Sequence, residues 1–167
     1  MLEFLSYLEK ERGFSNHTIK AYQTDLNRFI LFLTQEENIS NFKSVNIHTI
    51  RNYLGTEFDE GFSSKTVARR LASIKSLFKY LMRSEQISDN PAIHVKSPKI
   101  SQTLPNFIDE KVIDTLMESP DVSTSKGMRD RAILELFYST GIRLSELIAL
   151  DIDSIDPQNQ LATVHGK

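Results

Sequence analysis

"SSKTVARRLASIKSLFKYLMR", Ser63 to Arg83, is the stretch that sets the fold class. Val67, Leu71, Ile74, Phe78 and Leu81 recur at steps of four and three, the spacing of one face of an α-helix. At about 100° per residue, Leu77 and Met82 join that arc, while Lys65, Arg69, Ser76, Lys79 and Arg83 gather opposite. Arg70 and Lys75 lie nearer the edges, and no acid occurs between Gly61 and Ser84. An α-helix fits the major groove of duplex DNA, and long cationic side chains neutralise phosphates on either side of it. The solvated outer face of a bundle helix fits the same pattern, although such faces usually mix charge signs.

Three further helical patterns precede this one. Leu2, Leu5 and Leu8 mark a short helix that stops at Gly13. "SNHTIKAYQTDLNRFILFL" follows, with Ser15 placed as an N-cap and Ile19, Tyr22, Leu26, Phe29, Ile30 and Leu33 on one stripe. A third helix carries Ile47, Ile50, Leu54 and Phe58. Four amphipathic helices joined by short turns predict a small bundle. After it comes "SDNPAIHVKSPKISQTLPNF", which holds three of the chain's five prolines. Proline removes a backbone donor and biases its predecessor to extended geometry, so a linker is expected. The expected division is therefore 1–90, a linker over 91–106, and a second unit over 107–167.

In that second unit, "IDEKVIDTLMES" reads as a helix starting near Asp109. The segment "MRDRAILELFYSTG" reads as another, buried, and "RLSELIAL" as a third, short one. Pro157, Asn159 and Gln160 then suit a turn, and Leu161, Thr163 and Val164 a strand. The partner of that strand is expected beyond Lys167, as the closing half of a β-hairpin.

Between the last two helices lies "YSTGIRLSEL", Tyr138 to Leu147. Gly141 can take the left-handed conformation that ends a helix. Peptide N–H groups after it would face outward at the next helix start, where anions are favoured. Arg143 adds a planar fork of donors that matches phosphate oxygens, and Glu146 is placed to orient it from behind. Either a phosphate clamp or a plain Arg–Glu surface pair fits these residues. Lys167, after His165 and Gly166, gives no signal of its own.

Composition excludes several classes. With no cysteine in 167 residues, disulfides and thiolate metal sites are ruled out. The four histidines, His17, His48, His94 and His165, lack metal-ligating spacing, so no metal or other cofactor is expected. No apolar run is long enough for a membrane span, and "MLEFLSYLEKERG" does not read as a signal peptide, so a cytoplasmic protein is expected. The net charge of −2 conceals an asymmetry. Residues 1–90 carry 12 basic and 11 acidic side chains, whereas 107–167 carry 6 and 11.

The segments "FLSYLEKERGFSNHTIKAYQTDLNRF", "SSKTVARRLASIKSLFKYL", "DNPA" and "MRDRAILELFYSTGIRLSEL" (Met128 standing where the pattern has Leu) resemble tyrosine recombinases, nearest the Xer group that resolves bacterial chromosome dimers. The resemblance implies a mainly α chain. Its four-helix, SAM-like core-binding domain would lead into the first, mostly helical part of an α/β catalytic domain, ending in an incomplete β-hairpin. It also implies site-specific recombination through a 3′-phosphotyrosyl intermediate, without a metal. Arg143 falls on the family's first catalytic arginine, Lys167 on its β-hairpin lysine, the general acid, and Glu146 on a supporting carboxylate. Lys65, Arg69, Arg70, Ser76, Lys79 and Arg83 become the expected DNA contacts. The implied partners are a duplex recombination site, a tetrameric synapse with itself or a paralogue, and a DNA translocase activator.

The chain also departs from the family. Its His-x-x-Arg motif and late tyrosine nucleophile belong downstream of Arg143 and do not occur there in these residues, and Tyr7, Tyr22, Tyr53, Tyr80 and Tyr138 lie upstream of where a nucleophile belongs. The 167 residues are therefore expected to bind DNA without cleaving it, as the first half of a recombinase. A fragment of a phage or mobile-element integrase, or a DNA-binding protein that has lost catalysis, would carry the same residues.

Overall fold

A computed structural model describes residues 1–101 and 107–164. The chain divides into two compact units, Met1–Thr103 and Leu104–Lys167.

The first unit holds helices α1 (Leu2–Lys10), α2 (Asn16–Gln35), α3 (Ile47–Asp59) and α4 (Ser64–Arg83). Local chemistry sets their ends. The Ser15 and Ser63 hydroxyls accept from the amides of Thr18 and Thr66, and the Asn46 side chain accepts from His48 and Thr49. Each bond satisfies a donor that the first helical turn leaves without a partner. Gly13 takes φ +63 after α1, a conformation that glycine adopts without a Cβ penalty.

The apolar stripes meet in one core. Phe4 and Leu8 come from α1, Leu26 and Phe29 from α2, Ile50 and Tyr53 from α3, and Val67, Leu71, Ile74, Leu77 and Phe78 from α4. Burying each such side chain contributes about 1.5–3 kcal/mol, so the bundle holds itself together. Three residues read as apolar positions differ: Leu2 is 78% exposed, and Phe58 and Met82 are each 43% exposed. Charged residues, described below, enter the core side of α2, α3 and α4 instead. The stretch read as linker also starts differently, because Ala92 and Val95 are buried against the first unit. The chain therefore leaves the bundle after those residues, not at residue 90.

Tyr53 carries a consequence for pH. Its ring packs 5.0 Å from Phe29 and 5.4 Å from Phe32, and its hydroxyl has no hydrogen-bond partner among the described residues. Burial pushes the phenol up to about 12 from 10.0, although Arg70 and Arg28 pull it back. Below pH 10 the phenol is neutral folded or unfolded; above it the unfolded chain ionises first. Stability is thus expected to fall by about 2 kcal/mol as pH rises from 10 to 12. Tyr53→Phe should flatten that loss in denaturant titrations while leaving stability at neutral pH unchanged or raised.

The second unit holds α5 (Glu110–Glu118), α6 (Ser125–Thr140), α7 (Leu144–Ile148) and strands β1 (Ile155–Asp156) and β2 (Leu161–Ala162). Asp109 caps α5 through the Lys111 amide, and Thr124 caps α6 through the Gly127 amide. Arg131 ties α6 to α5 by donating to the Met117 carbonyl at 2.6 Å. Packing is thinner than the sequence predicts. Ile133, Leu134, Leu136 and Phe137 of α6 are half-buried, and Gly127 is the only buried residue among those described in this unit. The strand at Leu161 also finds its partner elsewhere than expected. It pairs antiparallel with upstream residues, Ile155 opposite Ala162 and Asp156 opposite Leu161. The Asp156 carboxylate closes the turn by accepting from the amides of Gln158 and Asn159.

Candidate functional site

α4 presents two kinds of cation. Lys65, Arg69, Lys79 and Arg83 are exposed, and Lys75 and Ser76 are half-buried. Among the described residues, Lys65, Lys79 and Arg83 have no acidic partner. Arg83 instead donates to the Tyr7 hydroxyl at 3.2 Å and lies 5.8 Å over that ring. This row of charge remains available to an anion.

Arg70 is different and corrects the expectation. It is buried, paired with Glu57 on α3, 3.9 Å from Asp25 on α2, and stacked 4.0 Å over the Phe62 ring. A guanidinium so enclosed cannot reach a phosphate, so Arg70 is a bundle residue and not a DNA contact. The apparent lack of acid opposite α4 also ends here, because Asp25 and Glu57 supply it from neighbouring helices, each 1% exposed. Arg28 completes the set. It donates to Glu57 at 2.5 Å, pairs with Glu60 and lies 4.7 Å from the centre of the same Phe62 ring. Three arginines (28, 69, 70) and three carboxylates (25, 57, 60) are thus interleaved with no net charge.

In the second unit, α6 ends at Gly141, whose φ of 63 and ψ of 22 are left-handed. Its amide still bonds the Phe137 carbonyl at 3.0 Å, so the chain turns sharply without losing that partner. Arg143 then caps α7, and Glu146 binds it twice. One carboxylate oxygen accepts from the Arg143 amide at 3.0 Å, the other from its guanidinium at 2.8 Å. These bonds hold the Glu146 carboxyl below the usual carboxylate range, the backbone bond being the larger cause. Glu146 is shielded at 13% exposure, whereas Arg143 is 79% exposed. The result is a charged fork, held through its backbone amide and one guanidinium nitrogen, Nη1, with most of the side chain exposed.

The N–H groups expected to face outward are partly used. The Ile142 amide donates to the Thr140 hydroxyl and the Arg143 amide to Glu146. The guanidinium is therefore the main donor here. Lys167, expected as the general acid, lies outside the described residues. The structure thus brings Arg143 to Glu146, and sets Lys65, Arg69, Lys79 and Arg83 along one helix. No cluster of metal-ligating side chains occurs among the described residues, nor is any of their helices long and apolar enough to cross a membrane.

A helical bundle followed by a unit built around an Arg–Glu fork defines a class. Residues 2–85 match the phage integrase N-terminal SAM-like domain and residues 106–167 match the phage integrase family, so the chain belongs to that family, the tyrosine recombinases. Among curated relatives, the tyrosine recombinase XerD of Staphylococcus haemolyticus is 35% identical over 99% of this chain and 56% of its own length. XerC of Myxococcus xanthus is 43% identical over 99% of this chain and 54% of its own. The chain spans about half the length of the curated relatives it matches. Among solved structures, the Tn1549 transposon integrase in complex with circular intermediate DNA shares the fold. Its TM-score is 0.70 at 18% identity, covering 98% of this chain and 53% of that one.

Proposed function

We propose that this chain forms the DNA-binding unit and the first part of the catalytic unit of a site-specific recombinase of the Xer type, acting in chromosome-dimer resolution. The observation that carries the reading is the exposed row of Lys65, Arg69, Lys79 and Arg83 on α4, in a chain whose relatives at 35% and 43% identity are Xer recombinases. α4 would lie in the major groove of one half of a recombination site, its cations on phosphates.

In the reaction, a tyrosine hydroxyl attacks the scissile phosphorus, the P–O5′ bond breaks, and the leaving 5′-oxygen takes up a proton. None of the five tyrosines here is assigned that role; the nucleophile would come from residues beyond these. Arg143 would hold the nonbridging oxygens, where negative charge gathers in the transition state, with Glu146 keeping the fork aimed. Lys167 would give the proton to the 5′-oxygen. Because the phosphotyrosyl link keeps the energy of the broken bond, rejoining needs no ATP. Recombination would take place in a tetrameric synapse.

The DNA-binding part is tested by the salt dependence of duplex binding. Replacing Lys65, Arg69, Lys79 and Arg83 with alanine should weaken binding and flatten the plot of log K against log salt. The slope is expected to change by about 0.9 for each phosphate that is no longer neutralised. An unaltered slope would remove α4 from the interface.

A further inference from the structure

Asp25 stands in the middle of α2, 1% exposed, and the recombinase chemistry above makes no use of it. One of its oxygens accepts from the Arg69 guanidinium at 2.5 Å and from the Ser73 hydroxyl at 3.0 Å. Ser73, one turn beyond Arg69 on α4, also lies 3.4 Å from the Arg69 carbonyl. The Arg69 side chain is 51% exposed, and only its Nη1 has a hydrogen-bond partner among the described residues. The guanidinium is therefore anchored at one nitrogen from inside the bundle, with its remaining donors turned to the surface.

We propose that Asp25 is a positioning residue for DNA binding, a carboxylate withdrawn from solvent that fixes the orientation in which Arg69 meets a phosphate. The proposal rests on the reading of α4 as the DNA-facing helix. Its physical basis is preorganisation. An arginine has many rotamers, and one already held does not lose that freedom when the ligand arrives. Its planar fork then gains from alignment in a way that a point charge does not. Arg69 differs in this from Lys65 and Lys79, which are exposed on the same helix without an acidic partner.

Coulomb's law and positioning predict opposite signs for one substitution. Asp25→Asn removes a negative charge beside the interface, and by charge alone it should tighten binding to a polyanion. Positioning predicts weaker binding. The experiment measures affinity of the chain for a fluorescently labelled mixed-sequence duplex across a salt series, for wild type, Asp25→Asn, Arg69→Ala and the double variant. Circular dichroism melts identify the temperature range in which each is folded. Asp25→Asn is expected to weaken binding roughly tenfold, in the range seen for coupled neighbours, and to have little further effect in the Arg69→Ala background. General damage to the bundle would instead add to the Arg69→Ala loss, and that outcome overturns positioning. Ser73→Ala, which removes the other donor to Asp25 and leaves every charge in place, should give a smaller loss of the same kind. It serves in place of Asp25→Asn if that variant does not fold. If Arg69→Ala weakens binding while the Asp25 and Ser73 variants bind as tightly as wild type or more so, positioning is overturned and the DNA face stands. If Arg69→Ala leaves both affinity and salt slope as in wild type, Arg69 is no DNA contact and the proposal falls with it.

Discussion

Arg143→Ala, placed in the longer recombinase of which we propose this chain to be the first part, is expected to slow strand cleavage by about 10²–10³-fold, with duplex binding nearly unchanged. A pentacoordinate phosphorane carries more negative charge on its nonbridging oxygens than the ground-state diester, so a fixed donor fork stabilises it selectively. Arg143 has the required form: its side chain is 79% exposed, and Glu146 holds its guanidinium through Nη1 at 2.8 Å. Binding draws mostly on other cations, so affinity should survive. Arg143→Lys should recover only part of the rate, because a lysine offers a point charge where the fork offers two aligned donors. Covalent trapping of the protein on a nicked duplex would measure this directly. Equal rates for Arg143→Ala and wild type would exclude the fork from the reaction.

The second large effect concerns stability. Glu57→Ala should destabilise the first unit by about 3–5 kcal/mol, since removing one partner of a buried ion pair leaves the other charge uncompensated. Glu57 is 1% exposed and serves both Arg28 and Arg70. Of these, Arg70 is buried and cannot turn to water. Glu60→Ala is the matched comparison. It also pairs with Arg28, but its side chain is 48% exposed, so its loss should fall in the range of about 0–1 kcal/mol typical of surface pairs. Urea titrations of wild type and the two variants would separate the cases. Equal losses for Glu57→Ala and Glu60→Ala would mean that burial adds nothing to the pair.

What the sequence made legible was local. Ser15, Asp109 and Gly141 end their helices by interactions with backbone a few residues away, and such contacts can be read from neighbours in the chain. The Arg143–Glu146 pair is of the same kind, three residues apart at a helix start. The charged network is not legible in the chain, because its partners lie on three different helices, from 13 residues apart for Glu57 and Arg70 to 45 for Asp25 and Arg70. A signal was nevertheless present. Asp25 falls three residues after Tyr22 and four before Phe29, and Arg70 falls three after Val67 and four before Ile74. Glu57 likewise falls three after Leu54. On each helix one charge interrupts the apolar stripe, and charges placed there are expected to find one another. The upstream pairing of the Leu161 strand is hidden for a related reason: a strand's partner is as easily upstream as downstream, and Ile155–Asp156 is too short to announce itself.

The same three stripes bear on how the bundle forms. Docking α2 on α4 alone would enclose Arg70 with only Asp25 at 3.9 Å, and docking α2 on α3 alone would leave Glu57 with Arg28 and no Arg70. The first of these states holds Arg70 desolvated and away from Glu57, and its free energy rises accordingly; the second keeps Glu57 paired through Arg28 with one of its two partners missing. Only when all three helices close is every ion pair of the network made. The network therefore favours the complete three-helix arrangement over partly docked pairs, and it is expected to make assembly of the first unit more cooperative.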